Sequence, residues 1–253
     1  VQVRKLARRS IARTLRQPVL FVPGLVFPLF MLWVISGVGD QVTEIKGFPT
    51  DSYVSFVLGA MMVQAAAGAT TGAGSALGTD LETGFFSRLV LTPMRGSAVI
   101  AAQLAGVVLT GTLQATLLLL AGLAIGASVE TGVVGALVIL AFVLVMLLAF
   151  GSIGLLIAVK TGSAEQVHGL FSISLALIFM SSMSMPRDLM KEEWFETIAT
   201  YNPMSYLIEA PRSLFISGWD SEALALGGGI AAVVLIVSLT ASATALSRKS
   251  PAR

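Results

Sequence analysis

The chain has 253 residues, 55% of them hydrophobic and only 12% charged, with a mean hydropathy of +0.88. A soluble domain carries about 25% charged residues, so residues 1–253 read as one membrane domain with no soluble domain beside it. A net charge of +2 leaves no basic soluble surface for nucleic acid, and the absence of cysteine excludes disulfides and Cys-based metal sites.

Residues 1–17 place Val3, Leu6, Ala7, Ile11 and Leu15 at helical spacing, with Arg4, Lys5, Arg8, Arg9, Arg13 and Arg16 around the rest of the circumference. This pattern predicts an amphipathic helix lying in the headgroup plane; a purely positive topology anchor is the alternative. The long basic stretch and the full-length apolar run behind it argue against a cleavable signal. Six apolar stretches follow, at about Val19–Gly39, Tyr53–Gly78, Ser97–Gly126, Gly132–Val159, Val167–Met185 and Ala223–Leu246. Each is near or above the roughly 20 residues a helix needs to cross a bilayer. Pro18 suits a bend into the first span, and Pro23 and Pro28 suit kinks within it.

The connections between these spans are sorted by charge. The set containing both chain ends holds 12 of the 16 Lys and Arg and only three of the 14 acidic residues, Asp80, Glu82 and Glu165. The opposite set holds the other 4 basic and 11 acidic residues. The excess of positive charge on the cytoplasmic side of membrane proteins then predicts both termini inside. The expected fold is all-α and integral to the membrane, with six transmembrane helices.

Span 2 is rich in small residues, with Gly68 and Gly72, and Gly74 and Gly78, four apart. Such spacing lets helix backbones approach closely; the polar Gln64, Thr70, Thr71 and Ser75 in the same span leave open that part of it faces a pathway. Beyond it, Thr79 and Glu82 have capping-box spacing, Leu81, Phe85 and Leu89 share a face, and Pro93 stops the pattern. A short amphipathic helix is expected there, on the cytoplasmic side between spans 2 and 3.

Spans 3 and 4 form a hairpin with a short outer turn near Ser128–Thr131. Span 5 carries Ser172, Ser174, Ser181, Ser182 and Ser184 with Met180, Met183 and Met185. Hydroxyls in a membrane helix can bond their own backbone, and flexible Met side chains suit either packing or a surface that accepts varied apolar ligands. Residues 187–217 predict two short external helices that dip into the membrane and return. The first contains Leu189, Met190, Trp194 and Ile198 with Asp188 as cap, and Asn202-Pro203 separates it from the second.

No phosphate loop of the G-x-x-x-x-G-K-[ST] type exists, so nucleotide hydrolysis by this chain alone is not expected. No charge lies deep inside a span, which argues against an ion-driven carrier. Ser75 in Gly-Ala-Gly-Ser-Ala and the lone His168 both fall near inner span ends. An intramembrane serine hydrolase would need such a pair in hydrogen-bond reach, but without an oxyanion-donor set the pair is set aside.

The order of elements resembles the membrane subunit of type-2 ATP-binding-cassette (ABC) exporters, with the drug-resistance and nodulation-type permeases the nearest look. Glu82-Thr-Gly-Phe-Phe-Ser-Arg-Leu-Val-Leu-Thr-Pro93 is similar to that family's acidic residue and glycine followed by Leu-x-x-Thr-Pro. Tyr201-Asn-Pro-Met-Ser-Tyr…Arg212 is similar to its Asn-Pro…Arg segment before the last span. The resemblance implies that residues 1–17 form the connecting helix. It implies that residues 80–92 form the coupling helix, with Glu82, Phe85, Phe86, Arg88 and Leu89 meeting an ATPase subunit; Phe85-Phe86 stands where many relatives have a small or hydroxyl residue.

It further implies two ATPase copies that bind the ATP and Mg, no cofactor or metal in this chain, a second permease copy in a homodimer, and contact with membrane lipids. Spans 1, 2 and 5 would lie near the dimer axis, which makes Gln64, Thr71, Ser174, Phe179, Met180 and Met183 pathway candidates. Asn202, Pro203 and Arg212 mark the external helices. The mostly apolar wall favours a hydrophobic drug or lipid-like substrate exported across a bacterial-type plasma membrane. A polysaccharide or glycolipid exporter permease, a non-ABC facilitator and a membrane-embedded enzyme are the alternatives.

Overall fold

The computed structural model describes residues 18–84 and 96–249. The surface helix read over residues 1–17, and Phe85, Phe86, Arg88 and Leu89 of the coupling segment, lie outside the described residues. Among the described residues every regular element is a helix: α1 (Pro18–Val38), α2 (Asp40–Thr43), α3 (Tyr53–Ala67), α4 (Ala69–Glu82), α5 (Gly96–Ile125), α6 (Gly132–Thr161), α7 (Ala164–Phe179), a 3₁₀ turn at Arg187–Leu189, α8 (Glu193–Tyr201), α9 (Pro203–Ile216) and α10 (Ser221–Lys249).

Among the described residues four stretches are long and apolar enough to cross a membrane: Tyr53–Glu82, Ala98–Ile125, Gly132–Thr161 and Ser221–Leu246. The apolar stretches Leu25–Gly37 and Ala164–Phe179 are shorter. The stretch Tyr53–Glu82 is the centre of the bundle, since its most apolar window is 83% buried against 17% for Ser221–Leu246. Around it α3 packs on α1, α5, α6 and α9, while α4 packs on α5, α6 and α7. Helix α10 lies on α6 and α9 and turns Val233, Ile236 and Val237 outward. An apolar outer face of that kind needs lipid around it, because water would penalise it at about 25 cal/mol per Å².

Two apolar cores follow the length of the bundle. One joins Leu58, Met61 and Met62 of α3 to Leu118 of α5, Met146 of α6 and Leu207, Ile208, Leu214 and Phe215 of α9. The other joins Ala73 and Leu77 of α4 to Leu104, Leu155, Val159 and Val167. Helix α9 is therefore part of the core. The α5–α6 turn docks on its C-terminus, where Thr131 donates to Leu214 O through both its hydroxyl, at 3.0 Å, and its amide. That uses carbonyls a helix end leaves without intrahelical partners.

Three local expectations need correction. Thr79 and Glu82 do not start a helix: α4 runs through both and closes at Thr83, whose hydroxyl bonds Thr79 O. The packing of α4 on α6 and α7 carries the helix on through both residues. Asp188 does not cap an α-helix but sits in the 3₁₀ turn, and α8 starts after Glu192 with no side-chain cap. The fifth apolar stretch is helical only to Phe179. At about 1.5 Å per residue its helix is roughly 24 Å long, short of a 30 Å hydrocarbon core. Ser75, set aside as a nucleophile, spends its hydroxyl on Thr71 O within its own helix.

Candidate functional site

Two constellations hold the ends of the central helix pair, and both are built from polar groups that close gaps in backbone hydrogen bonding. The first is centred on Asn202 and Arg212. Asn202 is the N-cap of α9, where its Oδ1 accepts from Met204 N at 2.9 Å and Pro203 takes the first helical position. Pro fits there because that amide would be unpaired anyway. The other half of the same side chain turns to α7: Nδ2 donates to Leu177 O at 2.7 Å and to Met180 O at 3.0 Å. One residue thus caps the start of one helix and the end of another.

Arg212 completes the arrangement. It is 5% exposed, its Nε donates to Phe56 O at 2.9 Å, and its Nη2 donates to Met183 O at 2.9 Å. The guanidinium carbon lies 3.7 Å from the centre of the Phe56 ring. A planar fork that stacks and donates in two directions is what guanidinium offers and ammonium does not. Burial pushes the Arg212 pKa down to about 9, with the nearby Glu209 acting in the opposite sense; the group stays charged at neutral pH. Gly59 of α3 makes the approach possible, since a Cβ there would sit 3.1 Å from Arg212 N.

Smaller ties surround this clamp. Ser205 Oγ donates to Ala199 O at 2.6 Å and accepts from Ser182 N at 3.1 Å. Tyr53 Oη donates to Ser184 O at 3.1 Å. Arg187 pairs with Glu209 at 2.6 Å and lies over the Tyr206 ring. These charges, with Phe56, Asp188, Glu196 and Arg212, border an open cavity of about 500 Å³.

The second constellation sits at the far end of α4. Glu82 Oε1 accepts from Ala164 N at 2.8 Å, the first residue of α7. Asp80 Oδ2 accepts from Gln103 Nε2 of α5 at 3.4 Å. Backbones are close here: a Cβ on Gly78 would meet Ala164 N at 2.7 Å, and one on Gly74 would meet Gly154 O at 2.6 Å. Gly162, at φ +71° in the α6–α7 turn, takes the left-handed conformation that favours glycine.

The six pathway candidates do not share one open surface in the single chain. Gln64, Ser174 and Met183 are buried, and the Ser174 hydroxyl bonds Leu170 O. Gln64 Oε1 has no hydrogen-bond partner among the described residues. Thr71 is half-buried, its hydroxyl on Gly68 O at 2.8 Å. Phe179 and Met180 are exposed at the end of α7. Of the glycine pairs in the sequence, Gly74 and Gly78 make the tight contacts, while Gly68 marks the break between α3 and α4. Sequence reading missed the close approaches at Gly59, to Arg212, and at Gly227, to Tyr206. It also missed the hydrogen bond from the Ala164 amide to Glu82.

Comparison with known proteins agrees with this architecture. The family model described as ABC-2 type transporter matches residues 1–216, a span that takes in both constellations. The daunorubicin resistance ABC transporter permease protein DrrB1 of Streptomyces coeruleorubidus is 30% identical over 218 residues, covering 83% of this chain and 73% of that protein. Proteins carrying the name transport permease ycf38 are 24% identical in Pyropia yezoensis, over 87% of this chain and 76% of theirs, and 22% identical in Cyanophora paradoxa, over 85% and 74%. With its several apolar helices and a family match over most of its length, the chain belongs to the ABC-2 type transporter family, as a multi-pass membrane permease.

Proposed function

We propose that the chain is the membrane half of an ATP-driven exporter that moves hydrophobic or amphipathic molecules, drug-like or lipid-like, out of the cytoplasm or the inner leaflet. Two copies would pair as a homodimer with spans 1, 2 and 5 near the axis and both termini cytoplasmic. Two separate ATPase subunits would bind ATP and Mg and dock against residues 80–92. The observation that carries the reading is the pair of constellations on one helical line. Residues after Glu82 lead directly into the proposed docking segment, and the other end of the same line is clamped by Arg212 to the end of α7. A displacement on the ATPase side then has a physical route to the outer end.

The substrate class is supported by the name of the daunorubicin resistance relative and by the exposed apolar wall at Phe179 and Met180. Gln64, Thr71, Ser174 and Met183 would come to face the pathway only on rearrangement, which fits a buried amide oxygen left without a partner. The break at Gly68 gives the central span a place to bend. Six spans are read from the six apolar stretches, the orientation from the sorting of charge between them, and the dip of α8 and α9 from their apolar faces. The 16-residue α7 fits that dip, since α8 and α9 would then supply the residues that complete its depth.

The test is an ATPase and transport assay on the complex of this chain with its ATPase subunit, presented with lipophilic drugs, lipids and glycans. Stimulation by drugs or lipids is expected; stimulation by glycans alone would reverse the substrate assignment. In the same complex, Phe85→Ala with Phe86→Ala is expected to remove ATP-driven transport while membrane insertion persists. Two large apolar side chains seated in a partner pocket act as binding hot spots, each costing about 2 kcal/mol or more on truncation. Full transport in the double variant would take these residues out of the role.

A further inference from the structure

This inference rests on the reading of residues 80–92 as the docking segment and refines it. We infer that Glu82 is a positioning residue rather than a docking group: its carboxylate ties the inner end of α4 to the start of α7, so that the two helices move as one body. Three observations converge. Glu82 ends α4, and its Oε1 holds the Ala164 amide at 2.8 Å. Ser163, at the N-cap of α7, makes no side-chain cap of its own, so Glu82, 82 positions before Ala164, does that work. An acidic group at a helix start also meets the favourable end of the helix dipole.

The third observation is the fit of the backbones. Gly78 leaves so little room that a Cβ would lie 2.7 Å from Ala164 N and 2.8 Å from its Cα. Gly74 repeats this one turn earlier, with Val167 Cγ1 at 2.5 Å from the added atom. Two close contacts and one charged hydrogen bond leave α4 little freedom to slide on α7. The flexible point lies elsewhere: Gly68 separates α4 from α3, and α3 is held at its far end by Arg212 through Phe56 O. A push on the segment after Glu82 is therefore passed to both α4 and α7, and the bend is taken up at Gly68.

The experiment uses the chain in complex with its ATPase subunit in lipid nanodiscs. The chain has no cysteine, so Glu82→Cys with Ala164→Cys introduces a unique pair for a short bifunctional thiol reagent. Cross-linking is expected at equal yield without nucleotide and with ATP plus vanadate, and the linked protein is expected to transport as well per ATP as the wild type. Glu82→Ala is expected to keep the ATPase subunit in pull-down but to lose about tenfold in substrate moved per ATP hydrolysed. Glu82→Gln, which keeps an acceptor oxygen, should lose about two- to threefold. Ser163→Asp in the Glu82→Ala background restores a cap without restoring the tie, so transport per ATP should stay low.

Loss of the ATPase subunit from Glu82→Ala would make Glu82 a docking group and overturn the inference. So would a cross-link yield that changes with nucleotide, or rescue by Ser163→Asp. If the wild-type chain captured no ATPase, the proposed function would fall instead. Cross-linking of the permease alone would still report whether the two helix ends are held together, which keeps the two failures apart.

Discussion

Arg212→Ala is expected to lower the melting temperature of the purified chain by about 10 °C or more, at roughly 2–4 °C per kcal/mol for a protein of this size. The side chain is almost fully buried, donates to two carbonyls on different elements and lies over an aromatic ring. Breaking a buried charged contact costs about 3–5 kcal/mol when the groups left behind find no replacement. The two acceptors differ in this respect. Phe56 O lies within α3, whereas Met183 O belongs to the irregular stretch after α7 and loses the guanidinium donor. Truncation also leaves a void between Gly59 and Phe56, adding a cavity penalty.

Two conservative variants separate the causes. Arg212→Lys keeps the charge, but one ammonium does not reproduce the fork and the stacked plane, so it should fall nearly as far as alanine. Arg212→Met keeps most of the volume and removes the charge, so an intermediate value is expected if volume contributes. Thermal unfolding in detergent, followed by tryptophan emission, reads all three. A wild-type melting temperature in Arg212→Ala would show that the clamp adds nothing to stability.

The helical class and the membrane character were legible in the sequence because they depend on composition and on runs of apolar residues, which are local properties. So was the short helix after Asn202-Pro203, whose apolar Met204, Leu207, Ile208, Leu214 and Phe215 are all buried. The Asn-Pro…Arg segment was legible as a motif but not as a mechanism. That Asn202 caps two helices at once, and that Arg212 reaches 156 residues back to Phe56, depends on tertiary placement that no spacing rule carries. Glu82 misled for a physical reason. A threonine three residues before a glutamate satisfies a capping box only if the chain upstream leaves the helix, and the packing of α4 on α6 and α7 keeps it helical through Glu82. Its carboxylate was then free to cap a different helix.

Glycines divide in the same way, and they supply the second large effect. Gly154→Leu is expected to prevent accumulation of folded protein, and Gly154→Ala to lower the melting temperature by about 5 °C or more. A Cβ at residue 154 would lie 2.0 Å from Thr70 O, 2.8 Å from Thr70 C and 3.0 Å from Thr70 Cα. All three are backbone atoms of α4, so no rotamer change relieves the clash, and α4 and α6 must separate as rigid helices. Gly74 faces the same junction from the other side, with Gly154 O at 2.6 Å from its added atom. Gly74→Ala and Gly154→Ala should therefore combine less than additively, because the first separation already makes room for the second side chain.

Gly151, one turn away on α6, is the control. A Cβ there would meet Leu104 Cδ2 at 2.9 Å, the end of a flexible side chain, with the nearest backbone atom at 3.9 Å. Alanine is also favoured over glycine in a helix by about 0.8–1.0 kcal/mol, which offsets the cost of moving Leu104. Gly151→Ala should stay within about 2 °C of the wild type by that balance, where Gly154→Ala falls. Equal melting temperatures for the two alanine variants would mean that α4 and α6 are not in backbone contact. The same loss of contact would loosen the α4–α6 junction, so under the proposed function the stability difference should reappear as a difference in substrate moved per ATP.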